Sequence, residues 1–483
     1  MDAEAEASRS GNPFLDAPEA KKKMTLKGIY VALIGAVCFM AVISTILPVA
    51  ALEIGGTDIY AFTSTLNSVG SVVFMPLWGY IVARKPAWKR QLFCGSMVVG
   101  VICLLLFATA QSMMLVIVTG PFYGALSAAV FVLSYSMIRD MYDVKQAGLY
   151  LGFCGAIMAA GAIIGPLIAG VIIQVAGWRW VCHLFWPIML VGTMFVWFGL
   201  RVPDGQVEYL AHKGGSFDAL GMASLGVCLG SIATMLSLGV NYVPFGSTPS
   251  NVMIAMAVIA GALTVFAIKR KGNDAIIPMS AVKDRDTMCF TLANIFTNFS
   301  NLAPYFFLPT FVLYVMGASA IEAALTISAF TILSLFLSPL MGKRIGVSGN
   351  ARGVLILGTV ARIVVTLILL VVLVPSANIW VVYAVCLLGG VASGSYGAGL
   401  SAGPQIQLKP ELRVQGNSVI QTGQAVGNSV GLATYTSIMA VFGVAQGMHI
   451  ALIVSAAAAV IALLCVLGLS KPPRTIESYD ISN

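Results

Sequence analysis

The stretch Gly161-Ala-Ile-Ile-Gly-Pro-Leu-Ile-Ala-Gly170 decides how this chain folds. It lies inside an apolar run near residues 147 to 176, which is long enough to cross a hydrocarbon core of ~30 Å as a helix. Gly161 and Gly165 are four residues apart, so they share one helix face and let a neighbouring helix approach closely, while Pro166 bends the helix. The pattern predicts a tightly packed membrane helix, whether that packing serves movement or only cohesion.

Composition supports a membrane protein throughout. Of 483 residues, 59% are hydrophobic and 10% are charged, against roughly 25% charged in an ordinary soluble domain. The net charge of +8 is spread over many short loops instead of one basic face, so nucleic acid is not an expected partner. The nine cysteines fall inside apolar runs without a C-x-x-C pair, which indicates packing residues and predicts neither a metal site nor a cofactor.

Apolar runs divide the chain into 14 predicted spans, so the predicted fold class is an all-α membrane protein. The first block has six, near 27–52, 60–82, 91–111, 113–138, 147–176 and 180–200. Two inserted spans follow, near 218–240 and 250–268. The second block has six, near 287–315, 321–341, 353–374, 379–403, 416–441 and 448–470.

The division predicts two six-helix halves with a linker and two tails. Their bounds are a cytoplasmic tail 1–26, an N-terminal half 27–200, a linker with the two inserted helices 201–286, a C-terminal half 287–470 and a tail 471–483. With both termini inside, all of the 27 Lys and Arg residues except Arg179 and Arg362 fall on the cytoplasmic side, as loops rich in basic residues do. We therefore expect a multi-pass protein of the plasma or inner membrane, without a signal peptide at its acidic start.

The two blocks repeat each other, as in transporters built from duplicated halves. Leu47-Pro48 recurs as Leu308-Pro309, Pro76-Leu77-x-Gly79 recurs as Pro339-Leu340-x-Gly342, and Gly148 recurs as Gly416. The offsets of 261, 263 and 268 residues are nearly constant. The same order within each block predicts parallel halves with an insertion between them.

These features resemble the major facilitator superfamily, and in particular its 14-span drug:proton antiporter branch, over essentially the whole chain. Gly161 to Gly170 is similar to the antiporter motif of that family, and Gly177-Trp178-Arg179-Trp180 with Pro187 is similar to a signature of the branch. Phe217-Asp218-Ala219-Leu220-Gly221 and Gly317 to Ala323 add further agreement.

The resemblance implies a monomeric secondary transporter that moves organic small molecules by alternating access, most simply as multidrug efflux. Gly79 and Arg84 keep two positions of the family's cytoplasmic loop motif, and the family implies protons as the coupling ion. Three charged positions of the family are replaced, however, by Phe39, Ala83 and Gly120.

Polar residues inside the spans are the candidate substrate-binding positions. Arg362 falls in the middle of its predicted span, where a charged side chain is costly and functional by default. Two neutral stripes recur at three- and four-residue spacing, so each lies on one helix face. The first has Thr291, Asn294, Asn298 and Asn301, and the second has Asn417, Gln421, Gln424 and Asn428. Both stripes are expected to face protein or a water-filled cavity, as interhelical hydrogen bonds or as a binding surface. Gly423 and Gly427, on the helix of the second stripe, repeat the close-packing device of the first half.

Other function classes are less well supported by the residues. Gly399-Leu400-Ser401-Ala402-Gly403 fits G-x-S-x-G, but His183 and His449 lie at the opposite ends of their spans, ~25 Å or more away, so no hydrolase is expected. Two alternatives stay open: an uptake facilitator or symporter for an organic anion, and a membrane sensor that kept the fold without transport.

Overall fold

A computed structural model describes residues 13–56, 61–199, 201, 218–238 and 246–471. Most of the predicted polar linker after residue 201, and the outer parts of both predicted tails, lie outside these ranges. Within them the chain is helical and has no β-strand. Helices satisfy every backbone hydrogen bond internally, which a chain in lipid requires because no water is present to do so.

Six long helices form the first half. They are α1 Glu19–Ile54, α2 Ala61–Arg84, α3 Lys89–Ala108, α4 Met113–Met141, α5 Val144–Ala176 and α6 Trp178–Phe198. A short 3-10 turn, Pro86–Trp88, leads into α3. The Asp143 side chain accepts a hydrogen bond from the Gln146 backbone N–H at the start of α5, and Gly177, with φ of 88°, separates α5 from α6.

The inserted pair and the second half follow. The inserted helices are α7 Ala219–Leu238 and α8 Thr248–Lys271, followed by the turns Gly272–Asp274 and Met279–Lys283. The second half contains α9 Arg285–Leu302, a π-helical turn Ala303–Phe307, α10 Leu308–Tyr314, α11 Ala320–Ser348, α12 Ala351–Val372, α13 Ile379–Gln407 and α14 Arg413–Leu467. The backbone of Gly443, with φ of 72°, breaks α14 into two helices.

Eleven segments of the described residues are long and apolar enough to cross a membrane. The predicted spans near 218–240, 287–315 and 416–441 are helical but do not meet that criterion. In α7, the apolar stretch whose side chains are described is Ala219–Ile232. The other two carry the predicted polar stripes, which lower their hydropathy.

The first helix begins inside the predicted N-terminal tail 1–26. The span predicted near 27–52 lies within α1, which begins at Glu19. In its first turn Lys22 pairs with Glu19 at 3.3 Å, and in the next turn Thr25 is fully buried. The helix therefore extends past the apolar run.

Repeated motifs of the two halves make their closest contacts across the interface. At Gly342 of α11 an added Cβ would strike the backbone of Gly148 and Gly152 on α5, and at Gly79 of α2 it would strike Ser418 of α14. Each Pro-Leu-x-Gly motif thus meets the opposite half. Both contacts lie at the end of the bundle that the charge distribution predicts to be cytoplasmic.

Candidate functional site

A cavity of about 390 Å³ lies between the two halves, next to these contacts. We call it the central cavity. Its first-half wall comes from α4 and α5 and contains Tyr135, Gly155, Met158, Ala159 and Ala162. Its second-half wall is far more polar and includes Asn294, Thr297, Asn298, Asn301, Tyr305, Phe306, Thr331, Ser334, Arg362, Ser393, Tyr396, Ser401, Gln421, Gln424 and Asn428.

Hydrogen bonds hold two amide side chains of α9, Asn294 and Asn298, and Gln421 of α14 in place. The Asn294 amide donates to the Ile420 carbonyl oxygen at 2.8 Å, which joins α9 to α14. The Asn298 amide donates to Oδ1 of Asn294 at 2.7 Å. Gln421 donates to the Leu400 carbonyl oxygen at 3.4 Å. The stripe thus serves interhelical bonding and the cavity wall together.

Two residues of the predicted stripes are not part of the lining. Thr291 bonds to the Thr287 carbonyl oxygen of its own helix at 2.7 Å. Asn417 is fully buried below the cavity, near the predicted cytoplasmic end of α14. A helix face drifts along its length, so the ends of a stripe need not meet the same surface as its centre.

Arg362 has the least usual surroundings of the lining residues. Only 1% of it is exposed. Its Nε and both terminal nitrogens have no hydrogen-bond partner among the described residues. The guanidinium carbon lies 5.5 Å from the Phe330 ring centre and 5.9 Å from that of Tyr396. Among the described residues that line the cavity, Arg362 is the one with a charged side chain.

Several lining residues were not predicted from the sequence. Tyr305 and Phe306 belong to the π-helical turn, which displaces them relative to a regular helix. Pro304 inside this turn was the available signal, because proline interrupts the helical ladder. Ser334 and Tyr396 reach the cavity from apolar, glycine-containing helices, where nothing in the pattern distinguishes them.

The predicted glycine motifs differ in their contacts. A Cβ at Gly161 would lie 2.8 Å from Cγ1 of Val37, and one at Gly165 would lie 2.9 Å from the Cys38 carbonyl oxygen of α1. A Cβ at Gly170 would have no neighbouring atom within 4 Å, so this glycine of the motif does not share the close contact with α1. Pro166 lies inside α5.

The corresponding glycines of α14 pack on the stripe helix. Gly423 would place a Cβ 3.0 Å from the Thr291 carbonyl oxygen, and Gly427 would strike the Ile295 backbone of α9. The close glycine contacts and the side-chain amide hydrogen bonds therefore join the same two helices, α9 and α14.

Arg84 of the loop motif is held in the predicted cytoplasmic loops. It lies 3.4 Å from Oδ1 of Asp274 and stacks over Tyr80, with 3.7 Å from guanidinium carbon to ring centre. It joins α2 to the segment after the inserted pair and does not reach the cavity.

The Trp-Arg-Trp segment forms a cluster at the predicted outer end of the first half. The Trp178 indole donates to Oε2 of Glu53 at 2.8 Å, and Arg179 pairs with the other carboxylate oxygen. Arg179 also donates to the Ala110 carbonyl oxygen at 3.1 Å. The Arg179 hydrogen bond chiefly lowers the pKa of Glu53, so this carboxylate is ionised near neutral pH.

Comparison with known proteins identifies the family. The family model of the Major Facilitator Superfamily matches residues 29–432 and 288–479. Multidrug transporter protein MdtP of Bacillus subtilis is 22% identical over 68% of this chain and 59% of its own length, and Multidrug resistance protein 3 of the same organism is 22% identical over 87% and 80%. The chain spans less than two thirds of the first relative's length. The crystal structure of the human organic anion transporter MFSD10 has a TM-score of 0.64 at 13% identity, over 94% of this chain and 100% of that one. By its fold and its family match, this chain belongs to the major facilitator superfamily.

Proposed function

We propose that this protein exports organic small molecules across the membrane by alternating access, as a multidrug-type efflux carrier. The observation that carries the proposal is the polar central cavity between two halves that touch each other at one end. Alternating access requires one central site and a contact that can open and close beside it. Backbone contacts between glycines suit such a gate because they can separate without untangling side chains.

The proposal includes 14 spans with both termini in the cytoplasm. Besides the eleven apolar segments, α7, the α9 to α10 segment and the first part of α14 are long enough to cross, and amide side chains of α9 and α14 turn toward the central cavity. Tags at both termini are expected to be cytoplasmic, and Arg179 is expected to be reachable from outside. A C-terminal tag outside would overturn the count.

Export is favoured by the names of the bacterial relatives and by the glycine motif of α5. Uptake is the second candidate, favoured by the cationic Arg362 in the cavity, and a sensor without transport is the third. The resemblance implies protons as the coupling ion, but the cavity lining contains no carboxylate among the described residues, so coupling to protons is proposed to be weak.

Counterflow in proteoliposomes tests transport itself. Liposomes loaded with an unlabelled organic compound are expected to accumulate its labelled form, for members of a cationic, neutral and anionic panel. Gly148→Leu is expected to abolish counterflow, because an added Cβ lies 2.5 Å from the Gly342 carbonyl oxygen. Gly95→Leu, at a position with open space, is the matched control. Absence of counterflow for the whole panel, with folded protein, would contradict the proposed transport and favour the sensor.

A further inference from the structure

We propose that the cargo of the central cavity is an organic anion, whose carboxylate or sulfonate group pairs with Arg362. This inference rests on the proposed transport function and names its substrate class. The steps below take in turn the buried guanidinium, its aromatic neighbours and the rest of the cavity wall.

The first step is the unmet charge of Arg362. A guanidinium keeps its proton at any working pH, and removing it from water without a partner costs several kcal/mol. Its three nitrogens have no hydrogen-bond partner, and no carboxylate pairs with it, within the described part of the chain. Burial of the Arg362 charge destabilises the empty cavity, and an anionic group on the cargo would supply the missing counter-charge.

The second step is the direction of its free donors. Phe330 and Tyr396 offer ring faces at 5.5 Å and 5.9 Å, which attract the cation through the ring quadrupole. Aromatic faces do not use the N–H groups, which point outward in the guanidinium plane. The planar fork therefore stays available for a bidentate bond to a carboxylate or sulfonate.

The third step is access. Arg362 lines the central cavity although only 1% of its surface is exposed. A small turn of this long side chain would bring its N–H groups to the cavity surface. An anion in the cavity would favour that turn, because it gains charge-assisted hydrogen bonds.

The fourth step is the body of the cargo. Tyr305, Phe306 and Tyr396 provide aromatic surface in the same cavity. Oδ1 of Asn301 is a buried acceptor without a partner and would take a hydroxyl or N–H of the cargo. The volume of about 390 Å³ is near the lower end of the range for small-molecule sites. The wall therefore fits a small aromatic acid.

A matched pair of probes tests the inference. Naphthalene-1-sulfonate is anionic at every working pH, and naphthalene-1-sulfonamide is neutral with the same ring. Binding of each is measured to purified protein in nanodiscs for the parent, Arg362→Met, Arg362→Lys and the control Arg352→Met, which changes an arginine of the same helix outside the cavity lining. The midpoint of thermal unfolding is measured for each variant with and without probe.

We expect the parent to bind the sulfonate more tightly than the sulfonamide. Arg362→Met is expected to bind the sulfonate roughly 10- to 100-fold more weakly, the loss of a hydrogen bond between charged groups, and the sulfonamide unchanged. Arg362→Lys is expected to fall between. Without probe, Arg362→Met is expected to unfold at the same temperature as the parent or higher, because an unpaired buried charge is gone.

Three results would overturn the inference. The first is a parent protein that does not bind the sulfonate, or binds it no more tightly than the sulfonamide. The second is unchanged sulfonate binding by Arg362→Met. The third is a lower unfolding temperature of Arg362→Met together with an equal loss of binding for both probes, which indicates a structural arginine. Counterflow separates this from the proposed function. Transport of neutral compounds without sulfonate binding would support the proposed transport and contradict the anionic cargo. Arg362-dependent sulfonate binding without any counterflow would support the anion site and contradict the proposed transport.

Discussion

The two walls of the central cavity differ in chemistry although the two halves share a fold. The first-half wall is built of Tyr135, Met158 and small residues, whereas the second-half wall carries amides, hydroxyls and Arg362. We therefore expect the second half to recognise the polar groups of a cargo. The first-half wall offers few polar side chains for that purpose.

In the first half, packed residues stand at positions where the resembling family has charged ones. Phe39, where the resembling family has an Asp, is 1% exposed, and its ring centre lies 5.0 Å from Tyr123 and 6.2 Å from both Phe107 and Phe185. Gly120, where that family has an Arg, would place a Cβ 2.9 Å from the Thr63 carbonyl oxygen. No long side chain fits there. The comparison shows that aromatic rings and neighbouring backbone fill the space at two of the three replaced positions.

Phe39→Asp breaks this comparison most strongly. We expect unfolding to become easier by roughly 3 kcal/mol or more, because a carboxyl group enters an aromatic cluster that offers it no partner. Transport should be lost rather than become proton-coupled. Thermal unfolding and counterflow measure both, with Phe39→Leu as the apolar control. A stable variant with new proton coupling would show that the space is functional.

Gly165→Leu tests the close approach of α5 to α1. An added side chain meets the Cys38 carbonyl oxygen and Cγ2 of Val42, so we expect a loss of about 1 to 3 kcal/mol in stability and most of the transport. Gly170→Leu, on the same helix with open space around it, should behave as the parent. Equal behaviour of the two variants in unfolding and counterflow would contradict the contact.

The smallest effect is expected for pH. The pKa of Glu53 is lowered in the folded protein, so its stabilising contribution is present above the unfolded value of ~4.3 and is lost only as pH falls through the folded value. Between pH 6 and 8 it does not titrate. Transport of an uncharged compound should therefore change by less than about twofold under an imposed pH gradient. A strong dependence that Glu53→Gln or His183→Gln abolishes would reveal a coupling site.

Much of the fold could be predicted from periodicity and length. The apolar runs predicted the helices, and the three- and four-residue spacing predicted that Asn294, Asn298 and Asn301 share a face, which lines the cavity. The family match confirms the resemblance seen in the glycine motif of α5. Binding by these residues stays a prediction. α1 begins before the predicted span, at Glu19, because charged residues can continue a helix beyond the apolar run.

By itself, the sequence determined that the chain is a helical membrane protein, because a 3.6-residue period and apolar length are local properties. Only the tertiary structure decided which faces meet. Gly165 and Gly170 look alike in the motif, yet one contacts α1 and the other faces open space. The surroundings of Arg362 likewise come from Phe330 and Tyr396, whose rings lie on two other helices. Such partners depend on how helices pack against each other, and that is settled by the whole bundle at once.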